Sequence, residues 1–194
     1  MRDPADIGRA LEAVRAGRLI VMPTDTVYGV AAHPDAAGAI FGAKKRSRDK
    51  ALPVLAAHLA DLSPVAVVDE RISMLARAFW PGPLTLVLER AAGFDADLGG
   101  RARTVAVRVP ACSVALALLR RSGPLAVTSA NRSGEPAATS VDEARRSLGD
   151  AVDVFIDGGP RSGAPSTIVS LVGNISVLRE GSLKAAEVLA VAGR

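Results

Sequence analysis

The sequence predicts an α/β protein: one domain over residues 1–194, built as a twisted mixed sheet flanked by helices. Three observations carry the prediction. Short apolar runs of strand length are interleaved with stretches of helical period. Several of those runs follow one another with no helix between them, which a purely parallel sheet does not allow. With 49% hydrophobic and 23% charged side chains, the 194-residue chain can bury one sizeable core. No internal repeat or low-complexity linker divides it.

The elements follow in order. Residues 4–16 place Ile7, Ala10, Leu11 and Val14 on one helical face, and Gly17 is a natural stop. RLIVMP, ending at Pro23, reads as a buried strand, and PTDTVYG (23–29) as the loop after it. A second helix falls around Ala36–Lys45. LPVLAA (52–57) reads as a strand. DERISMLARAFW (69–80) has Ile72, Leu75, Ala76 and Phe79 on one helical side and is broken by Pro81-Gly82-Pro83. LTLVLER (84–90) and TVAVRVP (104–110) are strands, SVALALLRRSG gives a helix over 113–122, and LAVTSA another strand. Ser140 and Glu143 form a capping box for a helix ending near Gly149. VDVFIDGG, STIVSLV and ISVLREG supply three more strands, and SLKAAEVLAVAG a closing helix.

Composition narrows the function. No apolar run approaches the ~20 residues of a membrane span, and the N-terminus is an amphipathic helix without a signal-peptide core. One cysteine, Cys112, excludes an internal disulfide framework, and two histidines, His33 and His58, leave little for a zinc site. A cytoplasmic location follows by default. The net charge of +4 is local. The stretch KKRSRDK (44–50) holds five basic side chains and one acid, and the rest of the chain balances 19 basic against 19 acidic residues. A neutral protein with one basic spot points to a phosphate-bearing ligand or nucleic acid, against the plainer reading of a solvated helix end.

Four loops are richer in small polar residues than strand ends require. PTDTVYG sets Thr24 and Thr26 after a strand end, where α/β sheets bind ligands. KKRSRDK, if extended, points Lys44 and Arg46 to one side, an ammonium and a guanidinium suited to a polyphosphate. TSANRSGEP (128–136) offers a polar cradle of Thr128, Ser129, Asn131 and Ser133. Without G-x-S-x-G or a histidine partner, Ser129 does not read as a hydrolase nucleophile. GGPRSGAPSTI (158–168) is Gly-rich yet has neither P-loop nor G-x-G-x-x-G spacing, so phosphate is bound in another way. His33 and His58 read as structural or surface residues. Arg108, a charge amid apolar neighbours, needs an anionic partner.

Taken in order, PTDTVYGVAA, the pair Lys44 and Arg46, WPGPLTLVL (80–88), VAVRVP (105–110), Ser129 and Asn131 followed by SGEP, then DGG, PSTIV and VLREG resemble the YrdC-type threonylcarbamoyl-AMP synthase family. The resemblance implies a YrdC-like twisted α/β sheet with a basic concave ligand-binding face. It also implies a nucleotidyltransferase reaction in which L-threonine, bicarbonate and ATP give threonylcarbamoyl-adenylate and pyrophosphate, for threonylcarbamoyl-adenosine modification of tRNA. By match to the family's motifs, Lys44, Arg46, Ser129 and Asn131 form a catalytic tetrad around the triphosphate and the carbamate. Thr24, Tyr28 and Thr167 meet threonine, Tyr28 as pocket wall. Thr104, Arg108 and Arg179 complete the nucleotide side, with Lys50 adding a phosphate contact. Mg²⁺ arrives on the ATP phosphates, with no protein ligand cage. The implied partners are ATP, L-threonine, bicarbonate and the proteins that transfer the threonylcarbamoyl group to tRNA; tRNA is met indirectly and no membrane is involved.

The pattern departs from many relatives at the basic loop. Ser47 stands where they have proline, Lys50-Ala51-Leu52 where they have Asn-Pro-Leu, and Leu55 where they have a histidine. The short form, without the C-terminal domain of longer relatives, is implied. Two readings stand beside the synthase: a noncatalytic RNA-binding or ribosome-assembly factor, and a YrdC-like paralogue handling a different carbamoyl-adenylate. Six aromatic residues and charge balance outside residues 44–50 weigh against extended RNA contact.

Overall fold

The computed structural model describes residues 4–101, 103–161 and 164–193. Its elements are α1 (Pro4–Arg15), β1 (Ile20–Pro23), β2 (Tyr28–Ala32), α2 (Gly38–Lys44), β3 (Val54–Leu55), α3 (Glu70–Phe79), β4 (Leu84–Glu89), β5 (Thr104–Arg108), α4 (Ser113–Ser122), β6 (Leu125–Ser129), α5 (Val141–Leu148), β7 (Val154–Phe155), β8 (Thr167–Ser170), β9 (Ser176–Arg179) and α6 (Ala185–Ala192). Among the described residues the nine strands form one sheet in the order β7-β1-β2-β6-β3-β5-β4-β8-β9. β1–β7, β3–β5 and β4–β8 pair in parallel and the remaining neighbours antiparallel, so the sheet is mixed, as predicted.

Two local expectations are corrected. Tyr28 and Gly29 are not loop residues: they pair with Pro23 and Met22 in a β1–β2 hairpin, leaving a turn over 24–27. All five β2 residues are buried, so the strand shows no polar alternation. The cap of α5 is also rearranged. The Ser140 hydroxyl accepts from the Glu143 N–H at 3.2 Å, but the Glu143 carboxylate takes the N–H and hydroxyl of Thr139, at 2.7 and 2.9 Å.

The two faces of the sheet are covered unequally. On one, α2, α3, α5 and α6 close a continuous core over Val21, Val30, Val54, Leu86, Val107 and Val169. On the other, α1 and α4 bury Ile20, Met22, Ala31, Leu125 and Val127 beneath Leu11, Val14, Leu118 and Leu119. That second core ends near Leu55 of β3. Beyond it, alternate residues of β5, β4 and β8 on the same face line an open cleft.

Trp80 is a loop-shaping residue. Its indole N–H donates to the Leu84 carbonyl at 2.7 Å, folding the Pro81–Pro83 turn back on β4. The Gly82 N–H meets the Val109 carbonyl at 2.9 Å, which brings the turn beside the end of β5.

Candidate active site

The cleft encloses about 500 Å³, within the usual range for a small-ligand site. Its floor is strand alternation made useful: Gly29, Val127, Leu55, Ala106, Val87 and Ile168 form an apolar strip. Glycine is needed at position 29, because a Cβ there would lie 2.6 Å from the Val127 Cγ1. Around the strip stand the hydroxyl-bearing residues Thr24, Thr26, Thr85, Thr128, Ser129 and Ser166 and the arginines Arg46, Arg108 and Arg179.

Arg108 is 5% exposed. Its Nε donates to the Gly82 carbonyl at 2.9 Å, Nη1 to the Thr26 hydroxyl at 3.2 Å and Nη2 to the Asp25 carboxylate at 2.6 Å. The anionic partner the sequence demanded is therefore Asp25, from the β1–β2 turn. Burial lowers the pKa of Arg108, with the Asp25 charge and hydrogen bond acting in opposition. A guanidinium has five N–H groups, so two remain for the cleft.

Arg46 and Arg179 are held differently. Lys45, at φ 50°, leaves the α2 terminus in the left-handed region, so Lys44 and Arg46 do not lie on an extended stretch. Arg46 is braced by its own loop, donating from Nε to the Lys50 carbonyl at 3.0 Å and from Nη2 to the Ala51 carbonyl at 3.1 Å. Arg179 donates to the Ser166 carbonyl at 2.9 and 3.1 Å and to its hydroxyl at 3.2 Å. Among the described residues neither arginine forms an ion pair, and the Asp49 carboxylate acts on Arg46 only through its charge, so both bring positive charge to the cleft. Ser166 and Thr85 share a hydrogen bond of 2.9 Å on its floor.

Of the residues read from the sequence, Thr24, Thr26, Arg46, Arg108, Thr128, Ser129 and Arg179 come together at the cleft. The Thr24 hydroxyl is already engaged in its turn, donating to the Val27 carbonyl at 2.6 Å. The others lie elsewhere. Tyr28 is not pocket wall: its ring is in the core and its hydroxyl meets Asp157 and the carbonyl of Gly159 at 3.0 and 2.8 Å. Thr167 alternates away from the cleft, its hydroxyl donating to the Leu183 carbonyl at 2.6 Å and accepting from the N–H of Gly181 at 2.9 Å. Thr104 shares the sheet face of Ala106 but lies outside the lining, and Lys50 is exposed, serving Arg46 through its carbonyl.

Lys44 and Asn131 sit behind the cleft. Lys44 is 1% exposed, and its Nζ donates to the carbonyls of Ser129 and Asn131 and, at 3.4 Å, to Asn131 Oδ1. Asn131 lines a neighbouring cavity of about 580 Å³ with Glu135, Thr139, Glu143 and Arg146; Ala137 borders both cavities. Its Nδ2 holds the SGEP turn through the carbonyls of Arg132 and Glu135, at 2.9 and 2.7 Å.

Asp25, Thr85 and Ser166 are the cleft-side residues that sequence reading missed, and Arg161 is a fourth contributor. Arg161 ties the Gly-rich connection to the hairpin turn through the Thr24 carbonyl at 3.2 Å. Residues 162 and 163 of that connection lie outside the described residues. His33 and His58 are exposed and line neither cavity. Among the described residues no group of three or more His, Cys, Asp or Glu is placed to hold a metal ion, and no helix is long and apolar enough to cross a membrane.

A family model named for Sua5, YciO and YrdC, and described as telomere recombination, matches residues 12–181. The chain belongs to the Sua5/YciO/YrdC family. A Mycobacterium leprae member, 44% identical over 193 residues and matched over 96% of this chain and 88% of its own length, carries a provisional name, threonylcarbamoyl-AMP synthase. Pyrococcus abyssi Sua5, crystallised with L-threonine, superposes with a TM-score of 0.91 at 38% identity, covering 96% of this chain and 57% of that one. Escherichia coli YciO gives 0.83 at 28% identity, with 92% and 90% covered. The Sua5/YciO/YrdC sheet is thus shared along nearly the whole chain, while the Sua5 polypeptide is considerably longer.

Proposed function

We propose that this chain is an L-threonylcarbamoyladenylate synthase, forming threonylcarbamoyl-AMP and pyrophosphate from L-threonine, bicarbonate and ATP. The observation that carries the reading is the cleft itself: three arginines and six hydroxyl-bearing residues line it around an apolar floor, with no histidine among them. Such a set binds anions and orients them, and no step of the reaction asks for a covalent enzyme intermediate. The threonine complex of the Sua5 relative and the synthase names of the sequence relatives support the same assignment.

The chemistry asks little else of the protein. The threonine amine condenses with bicarbonate to a carbamate, releasing water. A carbamate oxygen then attacks the α-phosphorus of ATP; the bond from that phosphorus to the bridging oxygen breaks, and pyrophosphate leaves with its electron pair. Two anions must be held against each other while charge shifts to the leaving phosphates, which is orientation and electrostatic stabilisation. Arg46 and Arg179, neither of them in a contact ion pair among the described residues, supply positive charge for the phosphates. Arg108, neutralised by Asp25, supplies directed N–H groups, and Ser129 and Thr24 bound the space between. Mg²⁺ accompanies the triphosphate, since a cleft lined by guanidinium groups and hydroxyls suits a phosphate-borne ion better than a protein-held one. The adenylate passes to cytoplasmic transfer proteins that modify tRNA, which this chain meets indirectly.

Pyrophosphate release with ATP, Mg²⁺ and bicarbonate should depend on L-threonine. Arg46→Ala should lower kcat/KM at least about 100-fold while leaving the fold intact by circular dichroism. Threonine-independent release, or none from well-folded wild-type protein, would sink the reading.

A further inference from the structure

Lys44 and Arg46 are two residues apart and of like charge, but the fold gives them opposite surroundings. Arg46 faces the cleft. Lys44 is the last residue of α2, and its side chain runs beneath the loop after β6. An ammonium has three N–H donors, and three acceptors surround this one: the carbonyls of Ser129 and Asn131 and the side-chain oxygen of Asn131. No donor is left over for a ligand. The backbone carbonyl of Lys44 also accepts from the Ser133 N–H at 2.8 Å, so α2 is stitched to the loop from both its main chain and its side chain.

We infer that Lys44 is a positioning residue for the synthase reaction: it fixes the Ser129–Ser133 turn from behind and does not touch the triphosphate. The clamp draws two carbonyl dipoles toward the interior, away from the space where the phosphates bind, and leaves the Ser129 side chain on the cleft wall. Phosphate contact falls to Arg46 and Arg179, whose charges face the cleft. This inference rests on the synthase reading for its consequence in turnover, but the clamp is measurable without it.

The test pairs Lys44→Met, which keeps the stem and removes the donors, with Arg46→Ala. Lys44→Met should bind MgATP within about threefold of wild type by calorimetry, while Arg46→Ala weakens binding at least about tenfold. Amide hydrogen exchange over residues 129–135 should rise in Lys44→Met and stay at wild-type rates in Arg46→Ala. In turnover, Lys44→Met should lower kcat about 30-fold with little change in the KM for ATP. If Lys44→Met weakens ATP binding tenfold, or leaves loop exchange unchanged, or turns over at the wild-type rate, the inference is overturned. Should Lys44→Met fail to fold, Lys44→Gln decides by the same criteria. A wild-type protein that binds ATP yet releases no pyrophosphate with threonine would overturn the synthase reading instead, and loop exchange would still decide the clamp.

Discussion

Over β1, β2 and β6 one face of the sheet carries Ile20, Met22, Ala31 and Leu125 under α1 and α4; over β5, β4 and β8 the same face continues as Arg108, Thr85 and Ile168 under no helix. The ladder is continuous from one half to the other, through β6–β3 and β3–β5. What differs is how each half satisfies its side chains. The covered half excludes water with apolar contacts from two helices. The open half satisfies polar groups with one another: Arg108 with Asp25 and Thr26, Thr85 with Ser166, Arg179 with Ser166. A site arises here because a stretch of sheet was left unpacked and lined with groups that a dry core could not hold.

That contrast can be broken from the covered side first. Leu118, fully buried between α4 and the sheet, should cost about 2–5 kcal/mol when changed to alanine. Its KM values should stay within about twofold of wild type, because its apolar cluster meets the cleft only through Leu55 and Val127 and includes none of the arginines or hydroxyl residues there. Urea denaturation and the pyrophosphate assay on the same preparation check this. Loss of substrate affinity in step with stability would mean that the halves are coupled.

From the open side, Asp25→Asn removes the counter-charge of a buried guanidinium. A fully buried pair broken in this way loses more, but the Asp25 side chain is 13% exposed and water relieves part of the cost, so about 1–3 kcal/mol is expected. The kinetic effect should be the larger share, a drop of about tenfold or more in kcat/KM, since Arg108 loses the contact that fixes its Nη2. Asp25→Glu should recover part of the activity. If Asp25→Asn shows lower stability and unchanged kinetics, the pair is structural only.

The two halves also differ in how far the sequence reveals them. The helices α1, α3 and α4 announce themselves through apolar residues at helical spacing, and β4 and β5 through length and β-branched content. β2 does not, because Tyr28–Ala32 is buried on both sides and contains a glycine required by the approach of Val127. At the site, spacing misleads in a physical way. Lys44 and Arg46 would share a side only in extended chain, and the helix end between them separates their directions. Thr167 and Ser166 are neighbours in PST, yet strand alternation sends only Ser166 to the cleft. Thr85 carried a readable signal, a lone hydroxyl in LTLVL two residues from Val87, which shares its face. Asp25 carried one too, an acid between the two threonines of the hairpin turn, but its partner lies 83 residues away in sequence and only the sheet order brings them together.

The smallest expected effect concerns Lys44, at the border between the halves. Burial, aided by the charge of Arg46 and opposed by that of Glu135, lowers its pKa from 10.5 to about 8. Folding therefore disfavours the ammonium. Between about pH 8 and 10.5 the unfolded chain holds this proton more firmly than the folded one, so the Lys44 contribution to stability rises with pH across that window. Turnover should move the other way. A neutral amine keeps two of its three N–H donors, so the clamp loosens without being lost, and kcat should fall a few-fold above about pH 8 to a plateau. Lys44→Gln, which does not titrate, should show neither change. Parallel kcat–pH profiles and chemical denaturation at pH 7.5 and 9.5 separate the two signs. A wild-type kcat that is flat through pH 8, alongside a stability difference from Lys44→Gln that does not grow with pH, would place the Lys44 proton outside both the fold and the reaction.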